Sequence, residues 1–288
     1  MAIPEKLIDG IQRLAPLPVT IQKLAATLQD ENVPFREIAG ILEYDGAVAA
    51  NVLKVANSGA YGGRFRTETI RDAVIRLGSA NLLNIILGDY LKSLRPSAPM
   101  YSLTENDFWL HSAAASLAVK ALTAEAPPAL IPQSAGIAAL LHDIGKLVIT
   151  RYMQVDCAAI LAVAEEKKIP FVDAERELVG SDHTEIGGEI ARKWNFPEEI
   201  VQAIACHHNP VDGDATPLTD GVMLANLAAK SLGAGMGADG MNFRVDYSHS
   251  RERLGLSIKA FERACAQTAV WLSELRDLKK GGNGQARV

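Results

Sequence analysis

The residues of this chain best suited to chemistry are its histidines and one aspartate. Five of the six histidines fall within one hundred residues, two as a pair and one beside an acid: His111, His142 followed by Asp143, His183, His207 and His208. Imidazole and carboxylate groups are suitable ligands for Fe, Mn or Zn, and one carboxylate can bridge two ions. A carboxylate at the end of an apolar helix is costly to bury unless a cation pairs with it. The pattern predicts one metal-binding constellation around His142 and Asp143.

Adjacent residues on a helix diverge by about 100°. His142 and Asp143 are therefore expected to reach a metal pocket from its two sides at a helix end, and so are His207 and His208. The single ligands would come from two other helices, which is how metal sites inside helical bundles are built.

Each histidine also has a simpler interpretation as a surface or core residue with one ordinary hydrogen bond. Taken one at a time, this is the more common case, because single-residue signals have low specificity. The concentration of five of six histidines in one part of the chain argues against it for the group. The sixth, His249, stands in a polar stretch and is interpreted as solvated.

The elements that must position these residues are predicted to be helices almost throughout. Leu17, Ile21, Leu24 and Leu28 recur at three- and four-residue steps, the spacing of one helix face. No segment alternates with period two for long enough to form a convincing strand. The composition, 48% hydrophobic but only 6% aromatic, favours aliphatic helix packing. We expect an all-α fold that begins with five or six short helices in the first hundred residues.

Capping signals place the candidate ligands on later helices. Residues 104–107 form a capping box for the helix that would carry the first histidine. Asp182 caps a helix with His183 in its first turn. Pro197 stands at the first position of a helix that reaches His208.

Charge and composition exclude several classes of function. The net charge is -5, and no run of Lys or Arg is long enough to follow a phosphate backbone, so no nucleic-acid partner is expected. No stretch of about 20 apolar residues exists, and the N-terminus lacks the apolar region of a signal peptide. The three scattered cysteines are typical of reduced thiols. We expect a cytoplasmic protein without a membrane partner.

The order of the histidines and Asp143 resembles the HD phosphohydrolase superfamily, and the surrounding sequence is closer to its HDOD branch. The resemblance covers roughly residues 11–230. Five motifs carry it: Leu14–Pro18, Asn57–Tyr61 (Asn-Ser-x-x-Tyr), Ile70–Gly78 (Ile-x-x-Ala-Ile-x-x-Leu-Gly in the family), Trp194–Pro197 and Ile204–His208.

The resemblance implies an all-α, multi-helix HDOD architecture. An N-terminal helical bundle, residues 1–100, would pack on an HD-like helical core, residues 101–278, within one HDOD unit. The break at residues 95–99 agrees with this division. Residues 279–288, with three glycines, are expected to be a disordered tail.

The resemblance also implies a ligand set and a cofactor. The cofactor would be one or two divalent ions, Fe or Mn, with Zn also possible. The superfamily closes its metal site with a late aspartate, and the counterpart here is Asn226, whose neutral amide would hold an ion less firmly. The implied ligands are His111, His142, Asp143 as a bridge, His183, His207, His208 and Asn226.

Comparison with the related HD-GYP phosphodiesterases is informative, because their motif is broken here. They carry His-His-Glu-x-x-Asp-Gly-x-Gly-Tyr-Pro. In the same register the paired histidines, Asp212-Gly213 and Pro217 are present, but Asn209 replaces the Glu and Ala215-Thr216 replaces the Gly-Tyr. The substrate signature of a cyclic di-GMP hydrolase is therefore missing.

Lys146 and Asp107 each have two possible roles. Lys146, one turn after Asp143, would face the pocket and bind a substrate phosphate, or would offset the dipole at a helix C-terminus. Asp107, one turn before His111, serves the capping box or contacts an extra metal as in some relatives. The capping role is the simpler account.

Two functions follow from the resemblance. The first is a signalling or regulatory output domain, whose HD-like pocket binds a metal and acts through a phosphate-containing ligand or a protein partner. The second is a metal-dependent phosphohydrolase or phosphodiesterase acting on a nucleotide or cyclic nucleotide. Asp143 and Lys146 would then be catalytic, and Lys146 would also bind substrate during metal-assisted hydrolysis.

Overall fold

The structure is a computed structural model that describes residues 3–27, 33–57, 65–94, 105–153, 157–208, 215–235 and 247–282. Within these ranges the chain forms sixteen helices and no strand. The predicted all-α fold is therefore confirmed.

The first six helices make up the N-terminal part of the described chain. The predicted stripe lies on α2 and just before it, and Leu17, Ile21 and Leu24 are buried, while Leu28 lies outside the described residues. Side-chain caps begin two of these helices, Asp45 for α4 and Thr69 for α5. The six are α1 (Glu5–Arg13), α2 (Val19–Thr27), α3 (Phe35–Glu43), α4 (Gly46–Ala56), α5 (Ile70–Leu77) and α6 (Ser79–Ser93).

Ten further helices form the rest. The long helix α7 packs against α8, α14 and α16, whereas α12 packs against α9 and α13. The ten are α7 (Glu105–Glu125), α8 (Ala135–Leu141), α9 (Gly145–Met153), α10 (Cys157–Lys167), α11 (Phe171–Val179), α12 (His183–Lys193), α13 (Glu198–Ala205), α14 (Pro217–Ser231), α15 (Ser248–Arg253) and α16 (Ile258–Gly282).

One hydrophobic core runs through both parts, from Leu7 to Leu272. Helix α6 packs on α7 and α8, and α1 packs on α9 and α12. Lys193, at the end of α12, donates hydrogen bonds from Nζ to the carbonyl oxygens of Ile11 (2.8 Å) and Leu14 (2.9 Å). The N-terminal helices are thus anchored directly to the helix that carries His183. The boundary at residue 100 stays a prediction.

Several sequence signals can be compared with the observed helix ends. Asp182 caps α12 as predicted, accepting hydrogen bonds from the backbone N–H groups of Thr184 and Glu185. Pro197 is the N-cap of α13 rather than its first residue, and α13 ends at Ala205, so the paired histidines lie in the turn beyond it.

The expected disordered tail and the predicted capping box lie partly outside the described residues. Helix α16 continues to Gly282, four residues into the expected tail, and the rest of that tail lies outside the described residues. The start of the capping box, Thr104, also lies outside them. No single helix in the described ranges is both long and apolar enough to cross a lipid bilayer. The cytoplasmic location stays a prediction.

Candidate metal centre

The His142-Asp143 pair lies in a short break between α8 and α9. Helix α8 is buried along its whole length, and the chain then turns, with the N–H of Ile144 donating to the carbonyl of Leu141 at 2.8 Å. The turn brings the two side chains together, and His142 Nε2 lies 3.4 Å from Asp143 Oδ2. The two neighbouring side chains therefore converge on one point at the end of α8.

A glycine lets the next ligand helix approach this turn. Gly145 is the first residue of α9, and a Cβ atom there would lie 2.0 Å from the backbone oxygen of His183. Any larger residue would push α12 away from Asp143. The close approach of α9 and α12 thus depends on Gly145.

Asp143 lies at the centre of the cluster, and its two carboxylate oxygens face different groups. Oδ2 lies 3.6 Å from His111 Nε2 and 3.4 Å from His142 Nε2. Asn226 Oδ1 lies 3.2 Å from the same His111 nitrogen. We call His111, His142, Asn226 and Asp143 Oδ2 the first half-site.

The other oxygen faces the remaining histidines. Oδ1 lies 3.4 Å from His183 Nε2 and 3.9 Å from His207 Nε2. His208 Nε2 is 3.1 Å from His183 Nε2. We call His183, His207, His208 and Asp143 Oδ1 the second half-site. The structure thus brings together all seven residues predicted as ligands.

Hydrogen bonds behind the rings aim four imidazoles at Asp143. In each case the Nδ1 atom meets an oxygen that can only accept, so Nδ1 carries the hydrogen and Nε2 presents its lone pair to the centre. The four pairs are His111 with Ala234 O (2.9 Å), His142 with Ala139 O (2.7 Å), His207 with Ile204 O (2.7 Å) and His183 with Glu175 Oε2 (2.5 Å). This is the arrangement that supports histidines around a metal ion.

Glu175 is a site residue that the sequence analysis missed. It lies on α11 and is fully buried, and its Oε2 accepts hydrogen bonds from both the ring and the backbone N–H of His183. A glutamate on the buried face of an amphipathic helix eight residues before His183 is the available sequence signal. That signal is weak, because a helix of uncertain rotation does not show which of its acids point inward.

The protonation of the cluster follows from burial and from neighbouring charges. Burial lowers the pKa of His142 to about 3. Burial, together with the neighbouring histidines, also lowers the pKa values of His207 and His208 well below the usual range. At His183 burial acts in the same direction, but the Glu175 carboxylate raises the pKa overall.

The central carboxyl group stays ionised although it is buried. Burial by itself would raise the pKa of Asp143, but His142, Lys146 and the other histidines hold it well below its ordinary value. A buried anion surrounded by imidazole lone pairs has the chemistry needed to hold a cation.

The second half-site fits a divalent ion. Asp143 Oδ1 and His207 Nε2 are buried and have no hydrogen-bond partner among the residues that the structure describes. The Nε2 atoms of His183 and His208 complete a four-residue group whose ligand atoms all lie within 4.8 Å of one another. Ligand atoms that share one ion at about 2.0–2.2 Å lie roughly 3.0–3.5 Å apart. The distances from His183 Nε2 to Asp143 Oδ1 (3.4 Å) and to His208 Nε2 (3.1 Å) fall in this range, and that from Asp143 Oδ1 to His207 Nε2 (3.9 Å) is slightly longer.

Lys146 lies in the pocket, and one of its two interpretations is wrong. It is the second residue of α9, so it stands near a helix N-terminus and cannot offset a C-terminal dipole. Its ammonium donates to Asp143 Oδ2 at 2.8 Å, and its side chain is only 1% exposed. Its predicted role in binding a substrate phosphate stays a prediction.

The structure also locates the other residues considered as site candidates. Asp107 is in neither of the two residue groups that can hold a metal. His249 is exposed, as expected for a solvated residue. Lys230, one turn after Asn226 on α14, is buried and close enough to His208 for its charge to lower that pKa. The segment of the broken HD-GYP motif from residue 209 to 214 lies outside the described residues.

Comparison with known proteins agrees with this fold. The model of the HDOD domain matches residues 14–210, more than half of the chain. The chain belongs to the HDOD domain family.

Two relatives show how much of a longer protein this chain matches. An uncharacterized protein of Treponema pallidum is 27% identical over 231 residues, which cover 78% of this chain and 44% of that protein. A Ribonuclease Y of Thermus thermophilus is 31% identical over 132 residues, 46% of this chain and 18% of that protein. This chain thus spans less than half the length of these relatives.

Among solved structures, this chain is similar over nearly its whole length to the crystal structure of an HDOD domain protein of unknown function from Geobacter sulfurreducens. It has a TM-score of 0.68 and 24% identity, and the match covers 98% of this chain and 97% of that one. The similarity shows the shared fold.

Proposed function

We propose that this chain is a regulatory HDOD domain that binds a divalent ion, Fe or Mn and less readily Zn, at the second half-site. The ion would hold the pocket in a state that binds a phosphate-containing ligand or a protein partner without turnover. The observation that carries the proposal is the pair of buried atoms without hydrogen-bond partners among the described residues, Asp143 Oδ1 and His207 Nε2, 3.9 Å apart. Leaving each unpaired costs about 1–3 kcal/mol, which a bound cation would recover.

The charge around the pocket supports an anionic ligand. A bound ion would supply a positive charge that polarises phosphoryl oxygens. The chain adds the buried ammonium groups of Lys146 and Lys230 on two sides of the histidines. Among the ligand residues, His208 is the one that is partly exposed.

The first half-site argues against catalysis. A two-metal hydrolysis needs both ions to neutralise the attacking and leaving oxygens. Here the neutral amide of Asn226 stands where the superfamily has an aspartate. Lys146 also pairs already with Asp143 Oδ2, the oxygen that would bind the first ion. Binding without turnover is the function that this arrangement favours.

Exposed apolar side chains support a protein partner. Tyr44 is 94% exposed and Phe65 is 80% exposed, both in the N-terminal helical part. Val19 is also exposed, and its neighbour Thr20 donates a hydrogen bond to Asp45, the neighbour of Tyr44. Exposed apolar patches are typical of interaction surfaces, so these side chains are our candidates for contact with a partner.

Metal content and turnover, measured together, test the proposal. The protein is purified without oxygen or chelator, analysed for Fe, Mn and Zn by mass spectrometry, and incubated with a panel of cyclic and linear nucleotides. We expect bound metal, a metal-dependent rise in Tm, and no turnover above that of His207→Gln. Failure to bind any of these metals after reconstitution would refute the proposal.

A metal-dependent phosphohydrolase is the second candidate. The similarity to proteins named Ribonuclease Y and the complete set of five histidines favour it. Turnover that requires metal and disappears in His207→Gln would establish this alternative.

A further inference from the structure

The two oxygens of Asp143 carry different partners. Oδ2, the oxygen of the first half-site, accepts a hydrogen bond from Lys146 Nζ at 2.8 Å. Oδ1, the oxygen of the second half-site, has no hydrogen-bond partner among the described residues. One carboxylate therefore presents one neutralised and one unsatisfied oxygen.

The first half-site collects acceptors that need a positive charge. The carbonyls of Ala234 and Ala139 hold the Nδ1–H groups of His111 and His142, so both Nε2 atoms are acceptors. These two nitrogens lie only 3.2 Å apart, next to Asp143 Oδ2. Such a group of lone pairs around a carboxylate oxygen is stable only beside a cation.

We propose that the Lys146 ammonium takes the place of the first metal ion, an inference that rests on the proposed metal binding at the second half-site. The protein then holds one divalent ion per chain. Lys146, more than Asn226, closes the first half-site to a second ion.

Three observations favour the lysine over the asparagine as the cause. Lys146 is almost fully buried, with its ammonium directly on the shared oxygen. An ammonium and a divalent ion competing for one oxygen would repel each other strongly at about 3–4 Å in a poorly solvated pocket. The Asn226 oxygen, by contrast, points at His111 and is itself capable of binding an ion, although it adds no charge.

The number of ions bound per chain tests this inference. Full-length protein is loaded with Mn²⁺ or Zn²⁺, passed through a desalting column and analysed for metal per chain. We expect one ion in the wild type and one in Asn226→Asp, because the lysine remains. We expect two in the double variant Lys146→Met/Asn226→Asp, because it removes the ammonium and adds a carboxylate to His111, His142 and Asp143 as a fourth charged or imidazole ligand.

A matched control separates the pocket lysine from a general loss of charge. Lys23 is exposed on α2, so Lys23→Met/Asn226→Asp is expected to bind one ion. The ion at the second half-site reports that the pocket of every variant is folded, and circular dichroism checks the helices.

The outcomes separate this inference from the proposed function. Two ions in the wild type, two in Asn226→Asp alone, or one in Lys146→Met/Asn226→Asp would overturn the role of Lys146 and leave metal binding intact. A wild-type protein that binds no ion would overturn the proposed function, and this inference with it.

Discussion

The two half-sites share one carboxylate and similar ligand types, yet they differ in charge and support. In the first, Lys146 neutralises Asp143 Oδ2 and the closing ligand is the amide of Asn226. In the second, three histidines face an oxygen without a hydrogen-bond partner among the described residues, and the buried Glu175 supports one of them. The difference teaches that ligand identity alone does not define an ion site, because neighbouring charges decide whether a cation is still needed.

Removal of the shared charge should have the largest effect on both half-sites. Asp143→Asn is expected to reduce bound metal below detection, because Asp143 is the only carboxylate among the ligands that make up the two half-sites. It also leaves Lys146 buried without its anion, a loss of about 3–5 kcal/mol. Metal analysis and urea unfolding measure both effects. Asp9→Asn, at an exposed position on α1, is the control. Metal content like that of the wild type in Asp143→Asn would show that the ion binds elsewhere.

Loss of one histidine from each half-site tests the comparison directly. His207→Gln should weaken metal affinity by about 100-fold or more, since a ligand is worth at least as much as its supporting hydrogen bond. His111→Gln should change affinity by less than about threefold, because the first half-site holds Lys146 instead of an ion. Competition with a coloured chelator gives both values. Equal losses in the two variants would contradict the asymmetry.

The support behind His183 should have a smaller effect. Glu175→Gln keeps an oxygen near the ring but removes the charge that orients it, so we expect metal affinity to fall about 10- to 100-fold. Glu177→Gln, an exposed position on the same helix, should leave affinity unchanged. The absorption spectrum of the Co²⁺ form should also change in the first variant alone. An unchanged affinity and spectrum in Glu175→Gln would show that His183 needs no such support.

The pH dependence of stability should be the mildest effect. It distinguishes histidines whose pKa is lowered by burial from His183, whose pKa is raised. The pKa of His142 is about 3 in the folded protein, and an unfolded histidine titrates near 6.5. Below pH 6.5 the unfolded chain takes up a proton that the folded chain does not, so stability falls as the pH drops. The slope is about 1.4 kcal/mol per pH unit for one such group.

His207 and His208 act in the same direction as His142, since burial lowers their pKa values too. The pKa of His183 is raised in the folded protein. Its contribution to the free energy of unfolding is therefore complete below pH 6.5 and is lost as the pH rises through the pKa of the folded state. Urea unfolding of chelator-treated protein at pH 7, 6 and 5 measures the slope. His142→Gln should flatten it and His249→Gln should not. A stability that stays constant from pH 6.5 to 5 would contradict these neutral buried histidines.

Much of the fold and of the ligand set could be predicted from local sequence. The apolar stripe through Leu17, Ile21 and Leu24 and the cap at Asp182 depend on interactions within a few residues, and both predictions are confirmed. The gathering of five histidines also followed from the sequence, because ligand-type side chains are costly to bury unless they meet a common partner.

The parts that could not be predicted depend on contacts between distant segments. Glu175 reaches His183 because α11 packs against α12, and α12 reaches the turn at Asp143 because Gly145 has no side chain. The pair at His142 and Asp143 lies at a helix end as expected, but its exact placement depends on the packing around the turn at residues 142–144.

The sequence by itself determined which chemical groups are present and which helices carry them, because residue type, periodicity and capping act locally. Only the tertiary structure decided which Asp143 oxygen faces which histidines, and that Lys146 lies on one of them. That choice depends on how several helices and a turn meet around one buried carboxylate, and such contacts between distant segments are not set by residue type, periodicity or capping.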